Sequence, residues 1–258
     1  MKNRQDIKIT GIIPARYGST RFPGKPLALL GDKPLIRCVY EQSSMVLSEV
    51  YVATDDRRII DAVNSFGGKA VMTSTTHRSG TDRCAEAAVS IEKITGKPVD
   101  VIINIQGDEP FIQPEHISLL ASCFDDPSVE IATLIRKVSP EEDLFDPNHP
   151  KVVINIKGDA IYFSRSVIPY FRDAEINKWN TRHNYFKHIG IYGYRKETLL
   201  KITSLKPGSL EIAESLEQNR WIENGYTIRT AVADWKSISI DTPEDLETAR
   251  KYLEKNRL

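Results

Sequence analysis

The chain has 258 residues, enough to bury the core of one large α/β domain without disulfide or metal staples. Its 35 basic residues balance 35 acidic residues, so no overall positive field is present to attract nucleic acid, and no acidic excess suggests a disordered chain. Any cationic binding site must therefore be local.

Membrane and secretory signals are not evident in the sequence. No run of eighteen or more apolar residues occurs, so a membrane span is not expected. Lys8, Gly11 and Pro14 interrupt the only apolar run that could belong to a signal peptide. The three cysteines lie far apart in segments patterned as helices, as expected of unpaired thiols in a reducing compartment. We therefore expect a soluble, cytoplasmic protein.

Short apolar runs alternate with longer amphipathic segments through the first half of the chain. The strands predicted there are residues 7–15, 50–54, 69–73 and 101–105, and helices are predicted to follow near Leu35, Asp56, Thr81 and Pro114. The apolar residues of the helix at Thr81 share one face, so Arg83 is expected on the free face near the amino end, where an anion is favoured. The alternation predicts an α/β fold with a mostly parallel sheet.

A different pattern begins with two strand-like runs around residues 151–165. Gly158 and Asp159 between them are residue types of a two-residue hairpin turn. The elements predicted after this hairpin are an irregular polar stretch, a strand, a helix and a further strand, at 172–184, 189–194, 209–224 and 227–232. We predict that residues 151–225 form a smaller lobe, whereas 1–150 and 226–258 form the nucleotide-binding α/β domain.

The last elements are a second short strand that ends at Ile240 and a terminal helix. This helix is predicted to begin after Asp241 and Thr242, because Pro243 is well placed in a first helical turn.

The loop after the first strand, within I-I-P-A-R-Y-G-S-T-R-F-P-G-K-P-L, contains two glycines and three cations. Gly18 and Gly24 permit a ligand to approach the backbone closely. Arg16, Arg21 and Lys25 supply positive charge and hydrogen-bond donors. This combination suits a polyphosphate, and a nucleoside triphosphate is the leading ligand hypothesis.

Two better-known phosphate loops do not fit this segment. A Walker loop has four residues between its glycine and its Gly-Lys pair, whereas five residues separate Gly18 from Gly24, and Pro26 replaces the required Ser or Thr after Lys25. The fingerprint G-x-G-x-x-G occurs nowhere in the chain, which argues against a dinucleotide enzyme. An ordinary surface loop rich in basic residues is the alternative interpretation.

Three polar segments are expected to meet at one edge of the sheet. Ligands of open α/β sheets bind beyond the carboxyl ends of the strands, where residues 16–25, 79–83 and 106–109 should emerge. Asp108 follows a continuous apolar strand, and Asp241 follows S-I-S-I. Magnesium prefers carboxylate and phosphate oxygens, so Asp108 and Asp241 are its candidate ligands. The alternative for each is a turn or helix-capping residue.

Several segments of the chain occur in the order and spacing of one enzyme family. They are I-I-P-A-R-Y-G-S-T-R-F-P-G-K-P-L, V-A-T-D-D, H-R-S-G-T-D-R, I-N-I-Q-G-D-E-P, Y-F-S-R-S-V-I-P-Y, H-I-G-I-Y-G-Y-R, S-L-E-Q and I-D-T-P-E-D-L-E. Nearly the whole chain thereby resembles the 3-deoxy-manno-octulosonate (Kdo) cytidylyltransferases, or CMP-Kdo synthetases. The resemblance implies a Rossmann-like sheet of the nucleotidyltransferase type with a smaller dimerisation and sugar-binding lobe.

The resemblance also implies a reaction. CMP would pass from CTP to Kdo, an acidic eight-carbon sugar, giving CMP-Kdo for lipopolysaccharide assembly and releasing pyrophosphate. The anomeric hydroxyl would attack the α-phosphorus in line, with Mg²⁺ as cofactor, so positioning and electrostatics carry most of the catalysis. The implied residues are Arg16, Arg21, Lys25 and Asp108 for catalysis, Pro14, Ala15, Arg16, Ser79, Gly80 and Gln106 for the nucleotide, and Asp108 and Asp241 for the metal.

Kdo would bind in the predicted smaller lobe. The implied sugar-binding residues are Arg165, His188, Tyr192, Glu217 and Gln218. Arg165 could pair with the sugar carboxylate through its planar guanidinium group. His188 and Tyr192 lie four apart in one strand and should share a face, and Glu214 should lie one turn before Glu217 on one helix. The alternatives are an interior histidine and a solvated helix glutamate.

Some positions depart from the family pattern, and rival functions exist. Tyr170 stands where many relatives carry Trp, and residues 233–237 lack the glycine-containing turn expected before D-T-P-E-D. The rivals are a cytidylyltransferase for sialic acid or 8-amino-Kdo and a non-catalytic nucleotide or sugar-binding protein. A glycosyltransferase is disfavoured because Asp108 is not part of a D-x-D triplet. By resemblance we also expect a homodimer, with the hairpin at 151–165 as a contact surface.

Overall fold

The computed structural model describes residues 7–234 and 238–255. The strands are β1 (Ile9–Ala15), β2 (Leu29–Leu30), β3 (Lys33–Pro34), β4 (Glu49–Thr54), β5 (Ala70–Met72), β6 (Val101–Asn104), β7 (Ile131–Lys137), β8 (Lys151–Ile154), β9 (Ala160–Ser164), β10 (Phe186–Arg195) and β11 (Ile228–Val232). The helices are α1 (Leu35–Ser44), α2 (Arg57–Ser65), α3 (Gly80–Thr95), α4 (Pro114–Ser122), α5 (Trp179–Arg182), α6 (Lys196–Ile202), α7 (Ser209–Glu214), α8 (Glu217–Glu223) and α9 (Pro243–Lys255). Among these residues, no helix has the length and apolar composition needed to span a lipid bilayer.

One large sheet organises the chain in the order β11-β7-β10-β6-β1-β4-β5, with the β8–β9 hairpin attached to β10. β1 lies parallel to β4 and β6, β4 lies parallel to β5, and β7 lies parallel to β11. β10 is antiparallel to the three strands that it pairs with, β6, β7 and β8. The predicted α/β fold with a mostly parallel sheet is confirmed.

Helices cover both faces of the sheet, so the strands are apolar on both sides. Alternate residues of β1 and β6 enter two separate cores: Ile13 and Ile103 belong to one, and Ile12 and Ile102 belong to the other. All four side chains are fully buried. The carboxyl ends of these two strands are therefore held rigidly, together with the loops that follow them.

The predicted smaller lobe shares this sheet with the rest of the chain. β10, which falls within residues 151–225, lies between β6 and β7. Val152 and Phe163 of the hairpin also pack in the same core as Ile12 of β1. The predicted domain boundaries therefore stay a prediction, because one sheet and one core continue across them.

The hairpin turn differs from the prediction. The turn runs from Asn155 to Gly158, whose amide donates to the carbonyl oxygen of Asn155 at 3.0 Å. Gly158 has a φ of 80°, and Asn155 Oδ1 accepts the amide of Asp159 at 3.0 Å. Gly158 is therefore the left-handed residue that closes a longer loop, and the expected two-residue turn of Gly158 and Asp159 is wrong.

The single helix predicted at 209–224 is also wrong, because α7 and α8 are separate. Ser215 between them has a φ of 51°, a left-handed conformation that ends α7. Glu214 and Glu217 consequently lie on different helices. The Glu214 carboxylate accepts from Ser164 Oγ at 2.6 Å, whereas Glu217 accepts from Thr81 at 2.6 Å.

The elements that were not predicted from the sequence are the short strands β2 and β3, the strand β7, and the helices α5 and α6, of which α5 lies in the stretch 172–184 expected to be irregular. Six of the seven residues of β7 are buried, so this strand lacks the alternation that identifies a half-buried strand. The short strand expected to end at Ile240 does not form at residues 238–240, and residues 235–237 lie outside the described part of the chain. The departure from the family pattern at residues 233–237 therefore falls largely outside the described part of the chain as well.

Gly193 of β10 lies against the ring of Phe124 and supports a stability prediction. An added Cβ would lie 2.5 Å from Phe124 Cε2 and 3.1 Å from Ile103 Cδ1, and Phe124 is only 1% exposed. We expect Gly193→Ala to lower the free energy of unfolding by about 1–3 kcal/mol, as measured by urea denaturation. Gly190→Ala is the matched control, because no atom lies within 4 Å of its added Cβ. An equal loss in both variants would contradict this explanation.

Candidate active site

A cavity of about 310 Å³ opens at the carboxyl ends of β1 and β6. Its lining includes every residue expected to act in catalysis, nucleotide binding or metal binding: Pro14, Ala15, Arg16, Arg21, Lys25, Ser79, Gly80, Gln106, Asp108 and Asp241. These residues come from four separate parts of the sequence. Their individual roles stay predictions, but their placement makes this cavity the candidate active site.

Backbone conformation directs Lys25 into the cavity. Gly24 has a φ of 74°, and its amide donates to the carbonyl oxygen of Tyr17 at 2.9 Å. A 3-10 turn, Lys25–Leu27, follows immediately. The Lys25 side chain is consequently only 13% exposed, although it lies in a loop.

The two aspartates converge on this one lysine. Lys25 Nζ donates to Asp108 Oδ2 at 2.7 Å and to Asp241 Oδ1 at 3.1 Å. Arg21 Nη2 lies 3.1 Å from Asp241 Oδ2. The amide of Ile240 donates to the carbonyl oxygen of Asp108 at 2.9 Å, which holds the segment before α9 beside the end of β6. The site therefore alternates positive and negative groups.

The helix cap of α9 is formed by residues other than Asp241. Asp245 Oδ2 accepts the amides of Asp241 and Thr242, both at 2.9 Å, and Thr242 Oγ1 accepts the amide of Asp245 at 3.2 Å. This reciprocal arrangement is a capping box with Thr242 as the cap. The Asp241 carboxylate is left to face Lys25 and Arg21, so the helix-capping alternative for Asp241 is wrong.

Asp108 and Asp241 together suit a divalent cation whose remaining coordination positions are filled by phosphate oxygens and water. Both direct a carboxylate oxygen at a single positive charge, that of Lys25 Nζ. Within residues 7–234 and 238–255, no cluster of three or more His, Cys, Asp or Glu side chains forms a metal site on its own. Magnesium commonly takes one or two carboxylates and completes its shell with phosphate oxygens and water, and this pair matches that pattern.

The amino end of α3 forms the opposite wall of the cavity. Ser79 Oγ accepts the amide of Asp82 at 3.1 Å and so caps the helix. An added Cβ on Gly80 would lie 3.2 Å from Pro14 Cγ, so only a glycine permits this close approach without displacing Pro14. The backbone of residues 79–80 therefore lies directly against β1.

Arg83 does not take the position expected from the helical pattern. Its side chain is buried and donates to Asp55 Oδ2 at 2.8 Å and to Thr73 Oγ1 at 2.6 Å. The guanidinium group is thereby committed to the ends of β4 and β5. Arg83 fixes the wall of the cavity, and the expectation that it is presented for an anion is wrong.

His77 and Arg78 also line the cavity, although the sequence analysis did not single them out. His77 Nε2 hydrogen-bonds to Glu86 of α3, and Glu86 accepts the amide of Ser74 at 2.9 Å, which fastens the loop before α3. In the described part of the chain, Arg16 and Arg78 make no ion pair, unlike Arg21. His77 and Arg78 could have been identified from the sequence, because they lie directly before the helix-capping Ser79 in H-R-S-G-T-D-R.

His188 and Tyr192 share a face of β10, as predicted. Their ring centroids are 5.1 Å apart, and the His188 ring lies 5.2 Å from that of Phe163. Thr133 Oγ1 donates to the carbonyl oxygen of Ile191 at 2.7 Å, so it accepts from His188 Nε2 at 3.0 Å. Burial lowers the pKa of His188 to about 3. The imidazole is therefore neutral at physiological pH.

This pKa predicts how stability depends on pH. Unfolded His188 binds a proton below about pH 6.5, whereas the folded protein resists protonation down to about pH 3. The free energy of unfolding should therefore fall as pH decreases through this window, with His188 contributing about 2 kcal/mol of the loss between pH 7 and pH 5. Urea denaturation at pH 7 and pH 5 measures the loss, which should be smaller in His188→Gln.

The control is His149→Gln, which replaces a more exposed histidine. It should lose as much stability on acidification as the unmodified protein. Parallel losses in all three proteins would show that His188 has no part in the effect.

Glu217 and Gln218 begin α8 beside this face. Glu217 Oε2 accepts from Thr81 Oγ1 at 2.6 Å, and burial raises the pKa of the Glu217 carboxyl. Gln218 Nε2 and Tyr192 Oη are buried and have no hydrogen-bond partner among the described residues. Buried polar groups normally have hydrogen-bond partners, so these two atoms suit a polar ligand. Because Glu217 is held by Thr81 and is largely buried, the alternative of a solvated helix glutamate is wrong.

Arg165 is engaged with the backbone. Nε donates to the carbonyl oxygen of Glu214 at 2.8 Å, Nη1 to that of Pro147 at 2.9 Å, and Nη2 to that of Ser215 at 3.4 Å. The structure thus brings Arg165 beside the break between α7 and α8. Pairing with a sugar carboxylate stays a prediction, and one N–H on each of Nη1 and Nη2 is left for it beyond these three bonds.

Known proteins share both the sequence and the fold. The sequence model of a family described as Cytidylyltransferase matches residues 10–238. The 3-deoxy-manno-octulosonate cytidylyltransferase of Bacteroides thetaiotaomicron is 54% identical over 97% of this chain and all of that protein. The enzyme of the same name from Cytophaga hutchinsonii is 57% identical over 93% of this chain and 96% of that protein.

Solved structures of related proteins have the same fold as this chain. The structure of a CMP:2-keto-3-deoxy-manno-octonic acid synthetase complexed with CTP superposes with a TM-score of 0.86 and 43% identity, covering 96% of this chain and 99% of that one. A 4-diphosphocytidyl-2C-methyl-D-erythritol synthase from Anaerococcus prevotii, at 14% identity and a TM-score of 0.61 over 96% of this chain and 99% of that one, shares the fold. The family resemblance inferred from the sequence motifs is confirmed: this chain belongs to the cytidylyltransferase family, among the 3-deoxy-manno-octulosonate cytidylyltransferases.

Proposed function

We propose that this protein transfers CMP from CTP to Kdo, giving CMP-Kdo and pyrophosphate and so activating Kdo for lipopolysaccharide biosynthesis. The observation that carries the proposal is the convergence of Arg16, Arg21 and Lys25 with Asp108 and Asp241 at one cavity. Cations at this position suit the triphosphate of a nucleotide. The names of the relatives and the CTP in the similar synthetase structure support the choice of substrates.

The reaction forms a bond between the anomeric oxygen of Kdo and the α-phosphorus and breaks the bond from that phosphorus to the bridging oxygen of pyrophosphate. Negative charge increases on the departing pyrophosphate. Arg21 and Lys25 are the proposed groups that stabilise this charge, because both approach the cavity from the loop after β1. Arg16, free of ion pairs among the described residues, would bind the triphosphate before the reaction.

Asp108 and Asp241 are the proposed Mg²⁺ ligands. When bound, the ion neutralises phosphate charge and lowers the pKa of the attacking hydroxyl. Lys25 already lies within hydrogen-bond distance of both carboxylates, so a triphosphate seated beside them would be within its reach as well. Ser79 and Gly80 would read the cytosine through backbone groups and a hydroxyl, and Pro14, Ala15 and Gln106 would complete the nucleotide contacts.

His188, Tyr192, Glu217 and Gln218 are the proposed contacts to Kdo, with Arg165 for its carboxylate. The neutral imidazole of His188 supports this assignment, as do Tyr192 Oη and Gln218 Nε2, which have no hydrogen-bond partner among the residues that the structure describes, since a sugar acid offers many donors and acceptors. We also propose a homodimer formed through the predicted smaller lobe, which light scattering would report as twice the chain mass. We also propose a cytoplasmic location, because the enzyme must have access to the cell's supply of its substrate CTP.

Pyrophosphate release tests the proposed function. With CTP and Mg²⁺, we expect turnover with Kdo and much lower turnover with sialic acid or 8-amino-Kdo at equal concentration. A clear preference for another acid would reassign the sugar. Binding of CTP without turnover of any acid would instead favour a non-catalytic nucleotide-binding protein.

A further inference from the structure

A short hydrogen bond joins the helix of the nucleotide cavity to the helix of the proposed sugar site. Thr81 Oγ1 in the first turn of α3 donates to Glu217 Oε2 in the first turn of α8 at 2.6 Å. Thr81 is only 4% exposed, so its hydroxyl is shielded from water. Its neighbour Gly80 lines the nucleotide cavity. The contact therefore lies between the two proposed substrate regions.

The negative charge of Glu217 is only partly balanced by a positively charged neighbour. Arg220, one turn later in α8, lies 3.4 Å from Glu217 Oε1 but donates to Glu211 from both Nε and Nη2 at 2.7 Å. The charged and titratable groups that face Glu217 are Asp82 and Cys84 of α3, Arg220 of α8, and Tyr192 and Tyr194 of β10. Because Arg220 is shared with Glu211, the main donors to Glu217 are the hydroxyl of Thr81, at 2.6 Å, and that of Ser79 beside it.

We propose that Thr81 is a positioning residue whose hydroxyl orients the Glu217 carboxylate toward the hydroxyl groups of the bound sugar acid. An ionised carboxylate has about four acceptor sites, so one bond from Thr81 leaves Oε1 and further lone pairs for the sugar. The same bond holds the sugar contact against the amino end of α3, which already keeps its own position through the Ser79 cap. This inference rests on the proposed function, since it takes Glu217 to be a sugar contact.

Thr81→Val tests the inference because it removes the hydroxyl and keeps the shape of the side chain. We expect the KM for Kdo to rise about tenfold, a change typical of one lost hydrogen bond to a charged group, while the KM for CTP stays nearly constant. Burial raises the pKa of Glu217, and hydrogen bonds from Thr81 and Ser79 oppose that rise. The acidic limb of kcat/KM for Kdo should therefore move to higher pH in Thr81→Val. Thr81→Ser should restore both values.

The outcomes separate this inference from the proposed function. Absence of CTP-dependent turnover of Kdo in the unmodified protein would overturn both. Normal turnover there, with Thr81→Val raising both KM values equally or leaving the pH profile unmoved, would overturn the inference alone. If Thr81→Val is too unstable to assay, Thr81→Ser and Glu217→Gln replace it. Unchanged KM and pH profile in Glu217→Gln would then contradict the proposed role.

Discussion

Asp108→Asn is expected to lower kcat of CMP-Kdo formation by about 10²–10³-fold, the range seen when one preorganised electrostatic group is removed from an active site. The carboxylate of Asp108 is fixed at the end of buried β6 and lies 2.7 Å from Lys25 Nζ. Asparagine keeps the shape but loses the charge, so it is a poorer ligand for a hard cation. The Mg²⁺ concentration for half-maximal activity should rise at the same time.

Folding should survive this change, because Lys25 retains its hydrogen bond to Asp241. Circular dichroism and the thermal midpoint check this expectation. Asp61→Asn serves as the matched control, since Asp61 forms an exposed pair with Arg57 on α2, away from the cavity. A folded Asp108→Asn protein that keeps half of its normal kcat would remove Asp108 from the proposed mechanism.

The convergence of the proposed nucleotide-binding residues on one cavity was largely predictable from the sequence, for a topological reason. Arg16, Lys25 and Asp108 follow apolar runs that could only be buried strands, and parallel strands bring their carboxyl ends to one edge. The fold class followed from the same alternation of apolar runs and amphipathic segments. Neither conclusion needed knowledge of distant contacts.

The sugar side depended on features that local patterns do not encode. The break between α7 and α8 comes from the left-handed conformation of Ser215, a residue type that rarely adopts it. Arg165 was predicted at the end of the hairpin's second strand and lies directly after β9, but its three carbonyl partners come from segments 18 to 50 positions away in the chain. The bond from Thr81 to Glu217 spans 136 positions. Contacts of this kind follow from packing, so the sequence pattern named some of the residues but not their partners.

Lys25→Met is expected to lower kcat by about 10²–10³-fold, because the group proposed to stabilise the departing pyrophosphate is lost. It should also change the protein without substrate. Lys25 Nζ is the cation that Asp108 and Asp241 share, so its removal leaves two carboxylates facing each other with Arg21 as the nearby positive group. We expect a lower thermal midpoint and a larger rise of that midpoint with added MgCl₂ than in the unmodified protein, since a ligand stabilises the state that binds it.

Lys25→Arg is the matched variant, since it keeps the positive charge. Its thermal midpoint should stay near that of the unmodified protein and respond as little to MgCl₂, while its kcat still falls because the guanidinium is larger and differently shaped. NaCl at equal ionic strength separates specific binding of Mg²⁺ from general screening. A Lys25→Met protein whose midpoint is unchanged and insensitive to Mg²⁺ would show that the two aspartates do not act as one cation site, and the proposed metal ligands would then have to be sought elsewhere in the cavity.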